Sequence, residues 1–136
     1  MATAGYSGTP LIKKLGIKPQ MKVLLLNVPD NYFGLLGQDI MQQVVAARQI
    51  PDFIHLFAKN LDAFKKGMEK VLVYAAKNTS VTVWVSWYKK ASGIVTNVNE
   101  DAIRNFALQN GLVDIKVCAV DELWSGLKLV VPLAKR

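Results

Sequence analysis

Lys89, Lys90, Ser92 and Gly93 are the residues of this 136-residue chain whose types and spacing best suit a binding site. Two ammonium groups, a hydroxyl and a glycine backbone amide are the groups that hold a phosphate or a carboxylate. They close the stretch VTVWVSWYKKASG at residues 81–93, where an apolar, strand-like run gives way abruptly to polar residues. With residues 81–87 as an internal parallel strand, the cluster falls at its carboxyl edge, where open α/β sheets bind ligands. The same rule brings Asn27, Asp30 and Tyr32, after an earlier apolar run, to that edge, together with Lys59 and Asn60 after DFIHLF. The plain structural reading is a lysine-bearing loop in which Gly93 only permits a turn.

Other chemistry finds less support. Ser86 and Lys89 match the short SxxK pattern of penicillin-recognising acyl enzymes, but no SDN or KTG element accompanies them. Tyr88 has no lysine four positions later, and neither GxGxxG nor GxxxxGK[ST] occurs. His55 is the only histidine and stands among apolar neighbours, which suits a structural role better than a catalytic or metal-binding one. Cys118, the only cysteine, alternates within IKVCAV as a small packing residue and excludes an intrachain disulfide. Asp121 and Glu122 are paired carboxylates beside Trp124, Ser125 and Gly126, yet adjacent positions in a turn point apart, so a solvated turn is expected, with an ion pair to Lys89 or Lys90 as an alternative. No catalytic residue and no metal site are assigned.

The size and composition set the class. A chain of 136 residues with 51% hydrophobic and 20% charged residues forms one folded domain, and its apolar runs are far short of a membrane span. Residues 1–9 read as a frayed terminus rather than a signal peptide, and with one cysteine a cytoplasmic location is expected. The formal charge of +7 favours polyanions or solubility. Lys13, Lys14, Lys18 and Lys22 precede any acidic residue, whereas Lys65, Lys66, Lys70 and Lys77 share a segment with Asp62 and Glu69 and read as a solvated helix face. A nucleic-acid surface would use Trp84, Trp87 and Tyr88 for stacking, but a sheet covered on both faces buries such tryptophans.

Periodicity supplies the scaffold. Thr9 and Pro10 open a short helix that Gly16 stops, and residues 21–28 form the first strand, expected at the centre of the sheet. Residues 42–47 are read as a short strand, with Ile40, Met41, Val44, Val45 and Ala47 along one helix face as the alternative, and 52–57 as a buried strand. Leu61, Phe64, Met68, Val71, Leu72 and Ala75 give an amphipathic helix capped by Asn60. After the strand at 81–87, a second helix starts at the Asn97 to Glu100 box and stops at Asn110 and Gly111, and two strands joined by a turn close the chain. The expected architecture is a single α/β domain over residues 1–136, a three-layer sandwich on a mostly parallel sheet with an antiparallel C-terminal strand pair.

That order resembles the class I methyltransferase version of the Rossmann-like fold. TPLIKKLGIKPQMKVLLLN, VWVSWYKKASGIVT and VDIKVCAVDELWSGLKLV also resemble a family of short bacterial proteins known only as a domain of unknown function. The resemblance implies a fold and a bacterial, cytoplasmic origin, not an activity. True methyltransferases carry a glycine-rich turn after the first strand and an acidic residue after the second. Here the first turn is Asn27, Val28, Pro29, Asp30, Asn31, and residues 44–50 contain no carboxylate. S-adenosylmethionine binding is therefore not expected. The expected function is non-enzymatic or weakly catalytic binding of a small anionic or nucleotide-like ligand. A divergent methyltransferase-like enzyme and a nucleic-acid or protein interaction module are the alternatives.

Overall fold

Alternation of large apolar side chains along two neighbouring strands explains the layering. The computed structural model describes residues 9–136, so residues 1–8 of the expected frayed terminus lie outside the described residues. Along β2 (Phe53–Ala58) and β3 (Thr82–Tyr88), all six residues of the first and the middle five of the second are buried. Phe53, Phe57 and Trp84 face one apolar cluster, while Ile54, Leu56, Val83, Val85 and Trp87 face another. A period of two, with both faces apolar, requires cover on both sides of the sheet.

Helices supply that cover. On one face lie α3 (Leu61–Lys77) and α4 (Glu100–Gln109), and on the other α1 (Leu11–Leu15) and α2 (Tyr32–Leu36). The stripe Phe64, Met68 and Val71 on α3 is fully buried, each side chain contributing about 1.5–3 kcal/mol of transfer free energy. Asn60 caps α3 by accepting from the amide of Ala63 at 2.8 Å, and Asn99 caps α4 by accepting from Ala102 at 2.9 Å. The Asn60 cap follows the sequence; at α4 the box expected from Asn97 to Glu100 does not form, because Asn99 is the cap and the Asn97 side chain bonds the amide of Leu61. At α1, Pro10 rather than Thr9 occupies the N-cap, and Gly16 takes the left-handed conformation that ends the helix.

The sheet has five strands in the order β1-β2-β3-β5-β4, with β1 at Val23–Leu26, β4 at Val113–Ala119 and β5 at Trp124–Val130. The pairs β1/β2 and β2/β3 are parallel, and β3/β5 and β5/β4 are antiparallel. The expectation of a mostly parallel sheet is thereby corrected to a mixed one. The closing hairpin returns β5 between β3 and β4, so its antiparallel direction adds two antiparallel pairings.

Two further expectations change. β1 is the outer strand of the five rather than the central one. Residues 42–47 form no strand: Met41–Gln43 is a 3₁₀ turn, and one parallel bridge, Val23 to Val44, is all that remains of the expected pairing. The side-chain amide of Gln43 donates to the carbonyls of Lys18 and Met21, and Tyr74 donates its hydroxyl to the carbonyl of Ala47. These side-chain bonds hold the segment in place of a ladder.

A bulge in β4 separates its charges. The register shifts between Asp114 and Lys116, so Asp114 pairs with Leu129 while Lys116 pairs with Lys128. In a regular ladder Asp114 and Lys116, two residues apart, would share a face; with Ile115 bulged out they take consecutive ladder positions and face opposite sides. Asp114 thereby reaches Arg104 of α4 at 3.0 Å, and Lys116 reaches the carbonyl of Lys14 in α1.

Candidate functional site: two crevices at the carboxyl edge of the sheet

The chain reverses its lateral course at β1. Val44 bridges one side of that strand and β2 pairs with the other. The carboxyl ends of β1 and β2 are therefore the switch point at which open α/β sheets form a ligand crevice. A cavity of about 350 Å³ lies there, lined by Leu26, Asn27, Asn60, Asp62, Lys66 and Lys70 among others. Asn27 ends β1 with φ +58°, and it is the one non-glycine residue with positive φ among the described residues. Asparagine tolerates this left-handed conformation better than most residues, so the backbone turns sharply here without glycine.

The charge of this crevice is positive. Lys66 pairs with Asp62 at 3.2 Å, with both side chains about three-quarters exposed. Such a surface pair is worth little and yields easily to a ligand. Lys70 makes no ion pair among the described residues. Ala63 and Gly67 also line the cavity and keep the α3 wall thin. A Cβ on Gly67 would come within 2.5 Å of Leu56, so glycine is what allows the helix to sit this close to β2.

A second cavity, of about 690 Å³, opens between the end of β3 and the start of α4. Lys90 and Gly93 line it, beside Trp87, Tyr88, Glu100 and Asp101. A ridge separates it from the first: the side-chain oxygen of Asn97 accepts from the amide of Leu61 at 2.7 Å, and Thr96 donates its hydroxyl to the carbonyl of Lys59 at 2.8 Å. The loop after β3 is thus fastened onto the connection between β2 and α3.

The residues singled out in the sequence are therefore divided. Asn27 and Asn60 line the switch-point crevice, and Lys90 and Gly93 line the other. Asp30 is exposed on the turn after β1, and Lys59 is exposed with its carbonyl bonded to Thr96. Lys89 is half-buried, its amide bonded to the carbonyl of Leu123 at 2.9 Å. Ser92 accepts from the amide of Ile94 at 3.1 Å, and the Gly93 amide bonds to Lys90 at 3.2 Å, so the anion-holding groups expected there are committed to the turn itself. No ion pair joins Lys89 or Lys90 to Asp121 or Glu122 among the described residues, because Asp121 accepts instead from the amides of Leu123 and Trp124.

Tyr32 is placed in the core, not at the cleft. It is 2% exposed, its hydroxyl lies 2.7 Å from Nδ1 of His55, and Nε2 of His55 lies 2.7 Å from Oγ of Ser86. His55 and Ser86 are fully buried, and burial lowers the imidazole pKa to about 3 and pushes the Tyr32 phenol up. The imidazole is neutral in the fold and spends both nitrogens on internal partners. The run DFIHLF shows a buried histidine but not that Tyr32 and Ser86 satisfy it.

From the sequence alone Lys66 and Lys70 read as plain solvated surface. Their one signal is the i, i+4 spacing beside the small pair Ala63 and Gly67, which leaves a hollow flanked by two ammonium groups. Cys118 is half-buried and burial pushes its thiol up, against the opposing pull of Lys14 and Lys116. No group of three metal-ligating side chains occurs, and no helix is long and apolar enough to cross a membrane, among the described residues.

No protein-family model and no curated protein sequence matches the chain. Solved structures do. An uncharacterised protein from Listeria monocytogenes serotype 4b superposes with a TM-score of 0.58 at 8% identity, covering 93% of this chain and 69% of its own. A protein of the NADB-Rossmann superfamily from Streptococcus agalactiae gives 0.54 at 6% identity, covering 94% and 70%. A putative tRNA (m1A22) methyltransferase from Streptococcus pneumoniae, in complex with S-adenosyl-L-methionine, gives 0.49 at 7% identity, covering 82% and 66%. At these identities the first two establish a shared architecture alone: this chain has a Rossmann-like α/β fold with a mixed five-stranded sheet.

Proposed function

We propose that this protein binds a small anionic ligand, carrying a phosphate, pyrophosphate or dicarboxylate group, in the crevice at the carboxyl ends of β1 and β2. The observation that carries the reading is the coincidence of the switch point with the Lys66 and Lys70 wall in one cavity. Lys66 and Lys70 supply positive charge, and the carboxamides of Asn27 and Asn60 supply directed hydrogen bonds. Asn60 already spends its oxygen on the α3 cap, which leaves its NH₂ group as a donor for the ligand. The site on residues 89–93 is displaced by this reading, since its cavity carries one lysine against two carboxylates.

Thermal-shift measurements with phosphate, pyrophosphate and citrate test the proposal. Stabilisation that disappears in Lys66→Ala/Lys70→Ala and survives in Lys89→Ala/Lys90→Ala supports it. Stabilisation lost only in the second variant returns the site to the loop after β3.

A divergent methyltransferase-like reading has one observation in its favour. Asn27 holds a left-handed turn at the end of the first strand, where such enzymes use glycine to bring the backbone to the cofactor. The asparagine side chain occupies part of that approach, and this reading expects S-adenosylmethionine to bind weakly if at all. Calorimetric titration with S-adenosylmethionine decides it: saturable heat that Asn27→Gly increases would establish the enzyme-like site.

A further inference from the structure

We infer that the cavity between β3 and α4 binds a large apolar α-amino acid as its zwitterion. This inference concerns a different cavity from the anion crevice and does not rest on that proposal.

The polarity of the cavity is two-signed. Lys90 is its one lining cation, and Glu100 and Asp101, in the first turn of α4, are its lining carboxylates. Both carboxylates are held in place by Arg104, which bonds one oxygen of each: Oδ1 of Asp101 at 3.0 Å and Oε2 of Glu100. The other oxygen of each carboxylate is then presented for a donor. Arg104 is shared among Glu100, Asp101 and Asp114, so with Lys90 counted the charges around the cavity still sum to negative, and a dianion such as a nucleotide phosphate is disfavoured. A zwitterion matches both signs: its ammonium group to Glu100 and Asp101, and its carboxylate to Lys90.

The remaining wall is apolar. Val95 is 95% exposed and Ile94 is 39% exposed, and both line the cavity. Leaving these two side chains in water is unfavourable by transfer free energy, and an apolar ligand group against them removes that exposure. Their loop is held at both ends, at Ser92 by the bond to the Ile94 amide and at Thr96 by its bond to Lys59, so the wall is preformed. Tyr88, stacked on Trp124 with ring centroids 4.1 Å apart, is a fixed aromatic element of the same cavity. At about 690 Å³ the space accommodates an aromatic or branched side chain together with the zwitterionic backbone.

Amide NMR titration of the full chain tests this with L-phenylalanine, L-phenylalaninamide and N-acetyl-L-phenylalanine. The expected result is saturable movement of the Gly93, Ile94, Val95 and Asp101 signals with L-phenylalanine, and roughly tenfold weaker binding of each blocked compound, the effect of losing one charged hydrogen bond. Lys90→Ala should weaken L-phenylalanine about tenfold and leave the amide unchanged, and Asp101→Asn should do the same with N-acetyl-L-phenylalanine as the unaffected compound. Equal binding of blocked and free compounds, or movement of none of these signals at millimolar ligand, overturns the inference. Pyrophosphate, followed at Asn27 and Lys70, reports separately on the other crevice.

Discussion

The side-chain oxygen of Asn97 accepts from the first backbone amide of α3, that of Leu61, at 2.7 Å across a separation of 36 residues. One carboxamide thereby caps a helix it does not belong to and raises the ridge that divides the carboxyl edge into two crevices. The amide it takes is one that α3 cannot satisfy internally. Asn97→Ala is expected to cost about 1 kcal/mol in urea unfolding and to speed hydrogen exchange at Leu61. Unchanged exchange at that amide would show that the bond does not form.

His55 sets a pH dependence of stability. Its imidazole stays neutral in the fold down to about 3, whereas an unfolded-chain histidine takes up a proton near 6.5. Between those values the unfolded state holds the extra proton, so stability falls as pH falls and is fully present above pH 6.5. The expected slope is about 1.4 kcal/mol per pH unit at its steepest, read by urea unfolding between pH 6.5 and 5, above the main carboxylate range. His55→Gln should flatten the slope whatever it does to the stability at neutral pH. A wild-type curve already flat across that window would contradict a buried neutral histidine.

Two opposing effects meet at Gly67. Alanine in the interior of a helix is favoured over glycine by about 1 kcal/mol. Its Cβ would, however, approach Cδ1 of Leu56 to 2.5 Å in a part of the core where Leu56 is fully buried. Overpacking of this kind costs about 1–3 kcal/mol, and the clash is expected to win. Gly67→Ala should lower the melting temperature, and Gly67→Ser should lower it further because the added hydroxyl enters the same contact. A stabilised alanine variant would mean that Leu56 has room to turn away.

Much of this arrangement is legible in the sequence, for reasons that can be traced to individual residues. Asn60 announces α3, and the Asn97 to Glu100 segment announces the start of α4 though Asn99 is the residue that caps it, because capping is local chemistry, decided by a side chain and amides three positions away. The alternation in β2 and β3 is likewise local, and it sets the layers. Strand order is not local. The first strand reads as central because Val23 and Leu24 are deeply buried, yet Val23 is covered by α1, α2 and Val44 on one face and Leu24 by α3 and Val45 on the other rather than by a further strand of the sheet. Val44 and Val45 carry strand propensity that the side-chain bonds of Gln43 and Tyr74 override.

The lining of the two crevices is half legible for the same reason. The crevice rule brings Asn27 and Asn60 to the carboxyl edge, where both line one cavity. It cannot show that Asn97 and Thr96 split that edge, nor that Tyr32 turns inward to meet His55. Lys66 and Lys70 resemble any exposed lysines until the switch point is known to face them.

The central claim is that the switch-point crevice is the anion site. Isothermal titration with pyrophosphate at low ionic strength tests it most directly. We predict a saturable, salt-sensitive isotherm for the wild-type protein and for Lys89→Ala/Lys90→Ala, and a loss of affinity of about tenfold or more in Lys66→Ala/Lys70→Ala. Equal affinity in Lys66→Ala/Lys70→Ala and wild type, or no binding by the wild type, would contradict the account.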